Sequence, residues 1–366
     1  MKEKPEIKYS LEKLGMSEYL KDEVELIKKS GMIPGRISLE HKESYMVITE
    51  AGVFTAEVTG KFIYQTAGDA DFPKVGDWAA VSVFEDEKKA VIHKVLKRKN
   101  RFSRVAAGKD KKEQVIAANI DVLFIVQGLD DNYNLRRIHR YAAMAEESGI
   151  EPVVVLNKAD VCDDINVKKN EVLNGLPGVR IAVTSAVSGQ GLHELKAMLK
   201  DGMTFMMAGS SGVGKSTLIN ILAGKEVERT APVRENDSKG RHTTVCRHMT
   251  VLDGAGILID TPGMREFGVW DIDAGIAETF SEINRLSSGC RYSDCTHTVE
   301  NKCAVIRALE KGELPRGVYE SYLKMQKEKV YLNSKKNKAA FFEQKKKEKQ
   351  LGRTIRGFKK LRKQKG

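Results

Sequence analysis

Gly209-Ser-Ser-Gly-Val-Gly-Lys-Ser-Thr217 fits the pattern G-x-x-x-x-G-K-[ST] of a phosphate-binding loop, and it has the flanks which that reading requires. Thr204-Phe-Met-Met-Ala208 ahead of it is a short apolar run of strand type, and Leu218-Ile-Asn-Ile-Leu222 behind it starts a helix. Gly209, Gly212 and Gly214 let the backbone turn tightly, so that its N–H groups and the helix N-terminus face phosphate oxygens. Ser210, Ser211, Val213 and Thr217 complete the cradle. Lys215 would reach the β- and γ-phosphates and the Ser216 hydroxyl would ligate Mg2+. A Gly-rich turn before an ordinary helix is the plain alternative, and it leaves the coincidence of strand, loop and helix unexplained. The stretch predicts a nucleoside triphosphate site in an α/β domain.

Working upstream, Asp121-Val-Leu-Phe-Ile-Val126 is a continuous apolar run of the kind a buried parallel strand shows. A helix is predicted over Asn134 to Ser148. Pro152-Val-Val-Val-Leu156 then runs straight into Asn157-Lys-Ala-Asp160. Asn-Lys-x-Asp after a buried strand is the guanine-reading motif of GTPases. The Asp160 carboxylate can accept from guanine N1–H and the 2-amino group, while the Lys158 stem covers the base plane. Adenine lacks that donor pair, so a carboxylate placed against it would stay unmatched. A surface loop also often carries Asn, Lys and Asp; the strand before Asn157 and the loop at Gly209 give this one its meaning. A further strand, Val179-Arg-Ile-Ala-Val-Thr184, ends in Ser185-Ala186, the place of the element whose backbone N–H approaches guanine O6.

Downstream, Ala255-Gly-Ile-Leu-Ile259 delivers Asp260-Thr-Pro-Gly263. Asp260 would hold Mg2+ through water, and the Gly263 N–H would meet the γ-phosphate. Between them Arg229 to Arg247 is polar, as a switch segment should be, and contains Gly240-Arg-His-Thr-Thr244. Thr243 or Thr244 would close on Mg2+ and γ-phosphate, and sequence does not choose between them. The order is unusual. In Ras-like GTPases the phosphate loop comes first, whereas here Asn157 to Asp160 and Ser185-Ala186 precede Gly209. The chain reads as a circularly permuted GTPase, in which the switch and the Asp260 strand feed into whatever is C-terminal.

What is C-terminal begins with Cys290-x4-Cys295-x-His297-x5-Cys303, three thiols and an imidazole, the ligand set of a closed structural Zn2+ site. Idle cysteines would not crowd beside a His in a loop-rich segment; Cys162 and Cys246 stand alone and read as ordinary thiols. Short helical segments follow from Ala304 to about Met325. From Lys324 to Gly366 there are 17 Lys or Arg and three Glu, more positive charge than the whole 366-residue chain's net +12, so the remainder is close to neutral. A basic tail of this kind points to nucleic acid or another polyanion, or is only a solvated run.

At the other end, Tyr9 to Lys29 has Leu11, Leu14, Leu20, Val24 and Ile27 at helical spacing, which predicts a helix ended by Ser30-Gly31. From Gly35 to about Lys97 the period becomes two. Tyr45 to Ile48, Val53 to Val58, Trp78 to Val83 and Ala90 to Val95 read as strands, and about five strands in some sixty residues suit an OB-type barrel. Such barrels bind nucleic acid; a module that only braces its neighbour fits the periodicity equally. Lys97 to Arg104 and Lys109 to Lys112 read as a charged, solvated connection. The expected organisation is multidomain α/β: a helical extension (1–34), an OB-fold β-barrel (35–100), a circularly permuted P-loop GTPase domain (113–273), a zinc-binding α-helical domain (274–325) and a basic tail (326–366), disordered on its own. No run has the length of a membrane span, and Met-Lys-Glu-Lys-Pro has no apolar signal core, so a cytoplasmic, reduced-thiol protein is expected.

A barrel, Asn-Lys-x-Asp before the phosphate loop, Gly-Arg-His-Thr-Thr, Asp-Thr-Pro-Gly and the Cys/His knuckle together resemble the small-ribosomal-subunit-dependent GTPases of the RsgA/YjeQ family, over residues 10 to 325. The resemblance implies a GTPase cycling between GTP and GDP. It further implies slow intrinsic turnover, stimulation by the small (30S) ribosomal subunit, a role in late maturation of that subunit, and rRNA contacts from the barrel and zinc domains. We expect a monomer with one structural Zn2+ per chain and Mg2+ entering with GTP. The extension past Met325 is outside the usual pattern. Where Ras-like enzymes place a water-orienting Gln, this chain has Met264, which suits slow hydrolysis. His242 would position water once RNA orders its loop, or would contact RNA itself. The rival reading is a GTP-controlled RNA-binding switch acting on another RNA, with hydrolysis only as reset.

Overall fold

Ile33–Glu40 (β1), Tyr45–Thr49 (β2), Gly52–Val58 (β3), Trp78–Phe84 (β4) and Lys89–Val95 (β5) close into a barrel. Closure follows because β1 pairs antiparallel with β2 and also with β4, while β5 joins β4 antiparallel and β3 in parallel. The order β1-β2-β3-β5-β4 and back to β1 is that of an OB-type barrel. Alternate residues turn inward, and Ile37, Val47, Phe54, Ala56, Ala79, Val81, Ala90 and Ile92 form its core. Pro34-Gly35 hides β1 from a reading by periodicity. Gly35 is required there, because a Cβ would stand 2.4 Å from Val47 Cγ1.

The computed structural model describes residues 8–41, 44–66, 68–105, 113–224, 247–260, 280–292 and 295–326. Two expectations are corrected within them. The single helix over Tyr9 to Lys29 is a turn at 11–15, a 3-10 turn at Glu18–Leu20 and a helix only over Lys21–Lys29 (α1). The break is at Gly15, whose φ is +80° and whose Cβ position lies 2.5 Å from Gly202 O, so the chain turns where it meets the nucleotide domain. Leu11, Leu14, Leu20, Val24 and Ile27 are all buried nonetheless. The supposed solvated connection is also built structure. Arg98 donates from Nε and Nη2 to the buried Asp77 carboxylate, at 2.8 and 2.7 Å. Arg101–Val105 (β6) pairs with Glu113–Ala118 (β7), and Phe102 is fully buried. Arg98, Lys99 and Arg101 are paired with Asp77, Asp121 and Glu113, while Lys109 to Lys112 lie outside the described residues.

Val122–Gly128 (β8), Glu151–Asn157 (β9), Arg180–Val183 (β10), Thr204–Ala208 (β11), His248–Leu252 (β12) and Gly256–Asp260 (β13) make the second sheet region, ordered β10-β9-β8-β11-β13-β12. All neighbours are parallel except β12 with β13. Successive residues go to opposite faces: Leu123, Ile125, Val154, Leu156 and Met206 to one apolar cluster, Phe124, Val126, Val153, Val155 and Phe205 to another. Gly60–Gln65 (α2) belongs to the barrel. Leu135–Glu147 (α3) and Ile165–Gly175 (α4) cover the first face through Ile138, Ala142 and Val172. Leu192–Ala197 (α5) and Lys215–Ala223 (α6) cover the second through Leu195, Leu218, Ile219 and Leu222. Burial on both faces is why these strands lack polar alternation. Chain order diverges between β8 and β11, a topological switch point, and the crevice at the carboxyl ends of such strands is where open α/β sheets bind ligands.

Two joints fix the barrel and the C-terminal segment to this sheet. Leu39 of β1 pairs with His248 of β12. Arg36, fully buried, donates to Gly76 O (3.2 Å), Asn119 O (3.2 Å) and Thr204 Oγ1 (2.8 Å) and contacts Leu14 O, binding barrel, N-terminal segment and nucleotide domain together. At the other end Ser281–Ser287 (α7), Ala304–Glu310 (α8) and the helical residues 316–326 share an apolar cluster with α3. There His139 meets the Phe280 ring edge-on at 5.5 Å, Phe280 meets Tyr322, and Arg136 pairs with Glu320. Among the described residues neither His139 ring nitrogen has a hydrogen-bond partner, and burial pushes its pKa down to about 4, so it packs as a neutral ring. Among the described residues no helix is long and apolar enough to cross a membrane.

Candidate functional site

The loop Gly209 to Gly214 leaves β11 at the carboxyl edge of the sheet and enters α6 at Lys215. Glycine is demanded twice over. Gly209 has φ +153° and a Cβ there would sit 2.3 Å from Val126 O; Gly214 has φ +97° and a Cβ there would sit 2.3 Å from Asn157 Nδ2. The close approach at Gly214 brings two sequence motifs together. Asn157 Nδ2 donates to Val213 O at 2.8 Å, and its Oδ1 accepts from Thr184 Oγ1 at 3.0 Å. Lys215 Nζ donates to Gly209 O and Ser210 O, both at 2.8 Å. Its ammonium therefore lies over the loop, where a phosphate would meet it.

The neighbouring strand ends carry the stretches Asn157 to Asp160 and Ser185-Ala186. Lys158 follows β9 with φ +61°, and its Nζ reaches Asp130 Oδ2 at 2.6 Å. Burial raises the Asp130 carboxyl, but the bonds from Lys158 and from the Asn132 N–H outweigh it and hold it below its ordinary range. Ser185 Oγ, buried at the end of β10, donates to Asp160 Oδ1 at 2.5 Å and accepts from Val187 N and Ser188 N. That leaves the exposed Asp160 with a second carboxylate oxygen directed by a fixed partner. Ala159 N donates to Thr184 O at 3.1 Å and so registers the two motifs. Ala186 is half-buried beside them.

Ser216 lies in the first turn of α6, and Asp260 is the last residue of β13, the parallel neighbour of β11, so both are at the edge that carries the phosphate loop. A hydroxyl and a carboxylate at that edge suit a hard cation such as Mg2+. His242, Thr243, Thr244, Gly263 and Met264 lie outside the described residues, as does the basic tail beyond 326.

Cys290, Cys295, His297 and Cys303 place one ligand atom each within 4.8 Å of one another. Cys290 Sγ is 3.8 Å from Cys303 Sγ and 3.6 Å from His297 Nδ1, and Cys303 Sγ is 3.4 Å from His297 Nδ1. Zn–S near 2.3 Å and Zn–N near 2.0 Å in a tetrahedron require edges of about 3.8 Å (S to S) and about 3.5 Å (S to N), so the set fits. His297 is held from behind by Tyr319 Oη, which donates to its carbonyl at 2.7 Å. Burial raises the Cys290 thiol, but the N–H groups of Ala304 and Val305 at the start of α8, with the Cys303 and Cys295 side chains, bring it below its ordinary value, while burial first and the neighbouring cysteines push Cys295 up to about 11.

Sequence reasoning missed Thr184, Asp130, Asn132 and Arg137. The signal was present in Asp130-Asp131-Asn132, a polar cluster directly after a strand buried on both faces, at the sheet edge where ligands bind.

Two family models match the chain: RsgA GTPase over residues 95–270, and a model described as 50S ribosome-binding GTPase over residues 204–338. A small ribosomal subunit biogenesis GTPase RsgA of Opitutus terrae is 40% identical over 331 residues, 88% of this chain and 90% of that protein. One of Lactiplantibacillus plantarum, called RsgA 2, is 43% identical over 86% of this chain and 88% of its own length. Among solved structures, YjeQ from Thermotoga maritima superposes with a TM-score of 0.60 at 30% identity, over 81% of this chain and 98% of that one. YloQ, titled a circularly permuted GTPase, shares the fold with a TM-score of 0.57 at 23% identity, over 82% and 95%.

Proposed function

The chain belongs to the RsgA GTPase family, and from that membership we propose that it is a GTPase of small ribosomal subunit biogenesis, with the phosphate loop and Asn157 to Asp160 forming one guanine nucleotide site. The bond from Asn157 Nδ2 to Val213 O supports this most directly: it joins base reader to phosphate loop although the reader comes first in the chain. The second family model names the other subunit, but it starts at the phosphate-loop strand and omits the barrel and the base reader. The relatives that share nearly the whole chain are named for the small subunit.

In this reading Asp160 accepts from guanine, Lys158 covers the base plane and Ser185-Ala186 approaches O6. The loop N–H groups and Lys215 hold the phosphates and stabilise charge as water attacks the γ-phosphate in line. Ser216 and Asp260 would hold Mg2+, which when bound draws charge from the β- and γ-oxygens. We assign Thr243 or Thr244 and the Gly263 N–H to the γ-phosphate, and His242 to water positioning. Met264 leaves the ordinary water-orienting place without a hydrogen-bonding group, consistent with hydrolysis that waits for a partner. We assign residues 35–100, 113–273 and 274–325 to barrel, GTPase and zinc domains, and the barrel, zinc domain and basic tail to rRNA, in a monomeric cytoplasmic protein. The rate of phosphate release from GTP tests the function. Small subunits should raise it by orders of magnitude, with large subunits and bulk RNA doing little. Stimulation by large subunits alone, or by any RNA equally, would overturn the assignment.

We identify the metal of the Cys290, Cys295, His297 and Cys303 cluster as zinc, because four soft or borderline donors leave no open coordination place. Purified protein should carry about one zinc per chain, as a closed four-ligand site holds. Cys295→Ser should release most of it and loosen residues 280–326 in hydrogen exchange while GDP binding persists. Full zinc retention by that variant would remove the site.

A further inference from the structure

The segment joining β8 to α3 reaches the phosphate loop through Asn132, and the first turn of α3 reaches it through Arg137. Arg137, in the first turn of α3, donates from Nη1 to Ser210 Oγ at 2.9 Å, Asn132 Oδ1 at 3.2 Å, Asn132 O at 3.3 Å and Gln127 Oε1 at 3.5 Å. Asn132 itself donates from Nδ2 to Ser211 O at 3.1 Å and accepts from Ser210 Oγ at 3.2 Å. The buried Gln127 fixes Asn132 by donating to its carbonyl at 2.6 Å. The four acceptors around Nη1 are neutral oxygens, so this bonding does not discharge the guanidinium. Ser210 and Ser211 are the second and third residues of the loop, the part that leaves the sheet before the turn at Gly212.

Resting on the guanine nucleotide site proposed above, we propose that Arg137 is a positioning residue for the phosphate loop, acting through Ser210 and Asn132. A Gly-rich loop has more conformational freedom than any other backbone, and a loop that must order on binding spends affinity in doing so. Three bonds from one rigid bracket to the loop's first two serines fix it beforehand. Arginine suits the task, because its planar fork serves several acceptors from one side and keeps its charge. Bound phosphate thus meets an ordered loop and a nearby positive charge. Since the loop holds GDP and GTP alike, losing the bracket weakens both. It raises KM with little change in kcat, the mark of binding shared by ground and transition states.

The test measures dissociation constants for GDP and a non-hydrolysable GTP analogue, together with kcat and KM, in the wild type, Arg137→Ala, Arg137→Lys, Ser210→Ala and the Arg137→Ala/Ser210→Ala double variant. Loss of the principal bond and its neighbours should weaken both nucleotides about tenfold in Arg137→Ala, with kcat within about twofold. Arg137→Lys should recover part of the loss by restoring one donor and the charge. The double variant should be weaker than Arg137→Ala by less than the loss in Ser210→Ala alone, because the Arg137–Ser210 contact is shared and only the Ser210 bond to Asn132 goes in addition. Additive losses, or unchanged dissociation constants in a folded Arg137→Ala, would overturn the proposal. If Arg137→Ala does not fold, unchanged nucleotide affinity in Ser210→Ala, whose half-buried serine sits in the loop itself, does the same. Failure of the wild type to bind either nucleotide would strike at the site reading instead, so the two failures are distinct.

Discussion

Asp160→Asn is expected to lower affinity for GTP and GDP by about 10^2 to 10^4 and to make xanthine nucleotides the better ligands. The magnitude follows from two charge-assisted hydrogen bonds, each about 1.5–3 kcal/mol, lost between the carboxylate and guanine N1–H and 2-amino groups. The direction follows from chemistry: the asparagine amide turns an N–H toward guanine's own donors, whereas xanthine offers a carbonyl oxygen there. Position is not disturbed, because Ser185 Oγ can donate to the amide oxygen of the variant as it donates to the Asp160 carboxylate, and Ser185 is fixed in turn by Val187 N and Ser188 N. Ser185→Ala should cost far less, since it frees Asp160 without removing it. Competition of GTP and XTP for the purified variant decides the matter, and unchanged GTP affinity would sink the base-reading assignment.

How legible the site was in the chain depended on whether each residue acts by its own chemistry or by its place. The stretches Asn157 to Asp160 and Gly209 to Thr217 could be read because the role proposed for each is carried within a few residues of backbone. The same holds for the cysteines and His297, whose close spacing in the chain lets their ligand atoms gather within 4.8 Å of one another. The barrel was legible by its period, but not its first strand, where Pro34-Gly35 breaks the alternation and Gly35 is dictated by Val47 from another strand. Gly15 broke the expected Tyr9 to Lys29 helix for the same kind of reason, a contact with Gly202 some distance along the chain. Arg98 and Arg101 looked solvated because charge reads as exposure until Asp77 and Glu113 are brought beside them. Thr184 and Arg137 act on Asn157 and Ser210, and nothing in their own neighbourhoods announces those partners, while the Asp130-Asp131-Asn132 cluster marked a place without naming what Asn132 would touch.

Gly214→Ala is the other change expected to act most strongly, with nucleotide affinity falling about 10^2-fold or more. An alanine at φ +97° is strained by about 1–2 kcal/mol, and its methyl would overlap Asn157 Nδ2, 2.3 Å from the Cβ position. Asn157 has little room to yield. It is 1% exposed and held by Val213 O and Thr184 Oγ1, so displacement breaks the bond that ties base reader to phosphate loop and strands buried polar groups. Strain plus one broken buried bond comes to about 3 kcal/mol, or about two powers of ten in affinity. Gly224→Ala separates this from a general effect of removing glycine. Gly224 caps the far end of the same helix with φ +64° and has nothing within 4 Å of its Cβ position, so alanine there brings strain without a collision. Gly224→Ala should lower the unfolding midpoint slightly and leave GDP binding as it is, whereas Gly214→Ala should lower the midpoint further and lose GDP as well. Equal losses of nucleotide in the two variants would mean that helix strain, and not the junction of Gly214 with Asn157, governs the site.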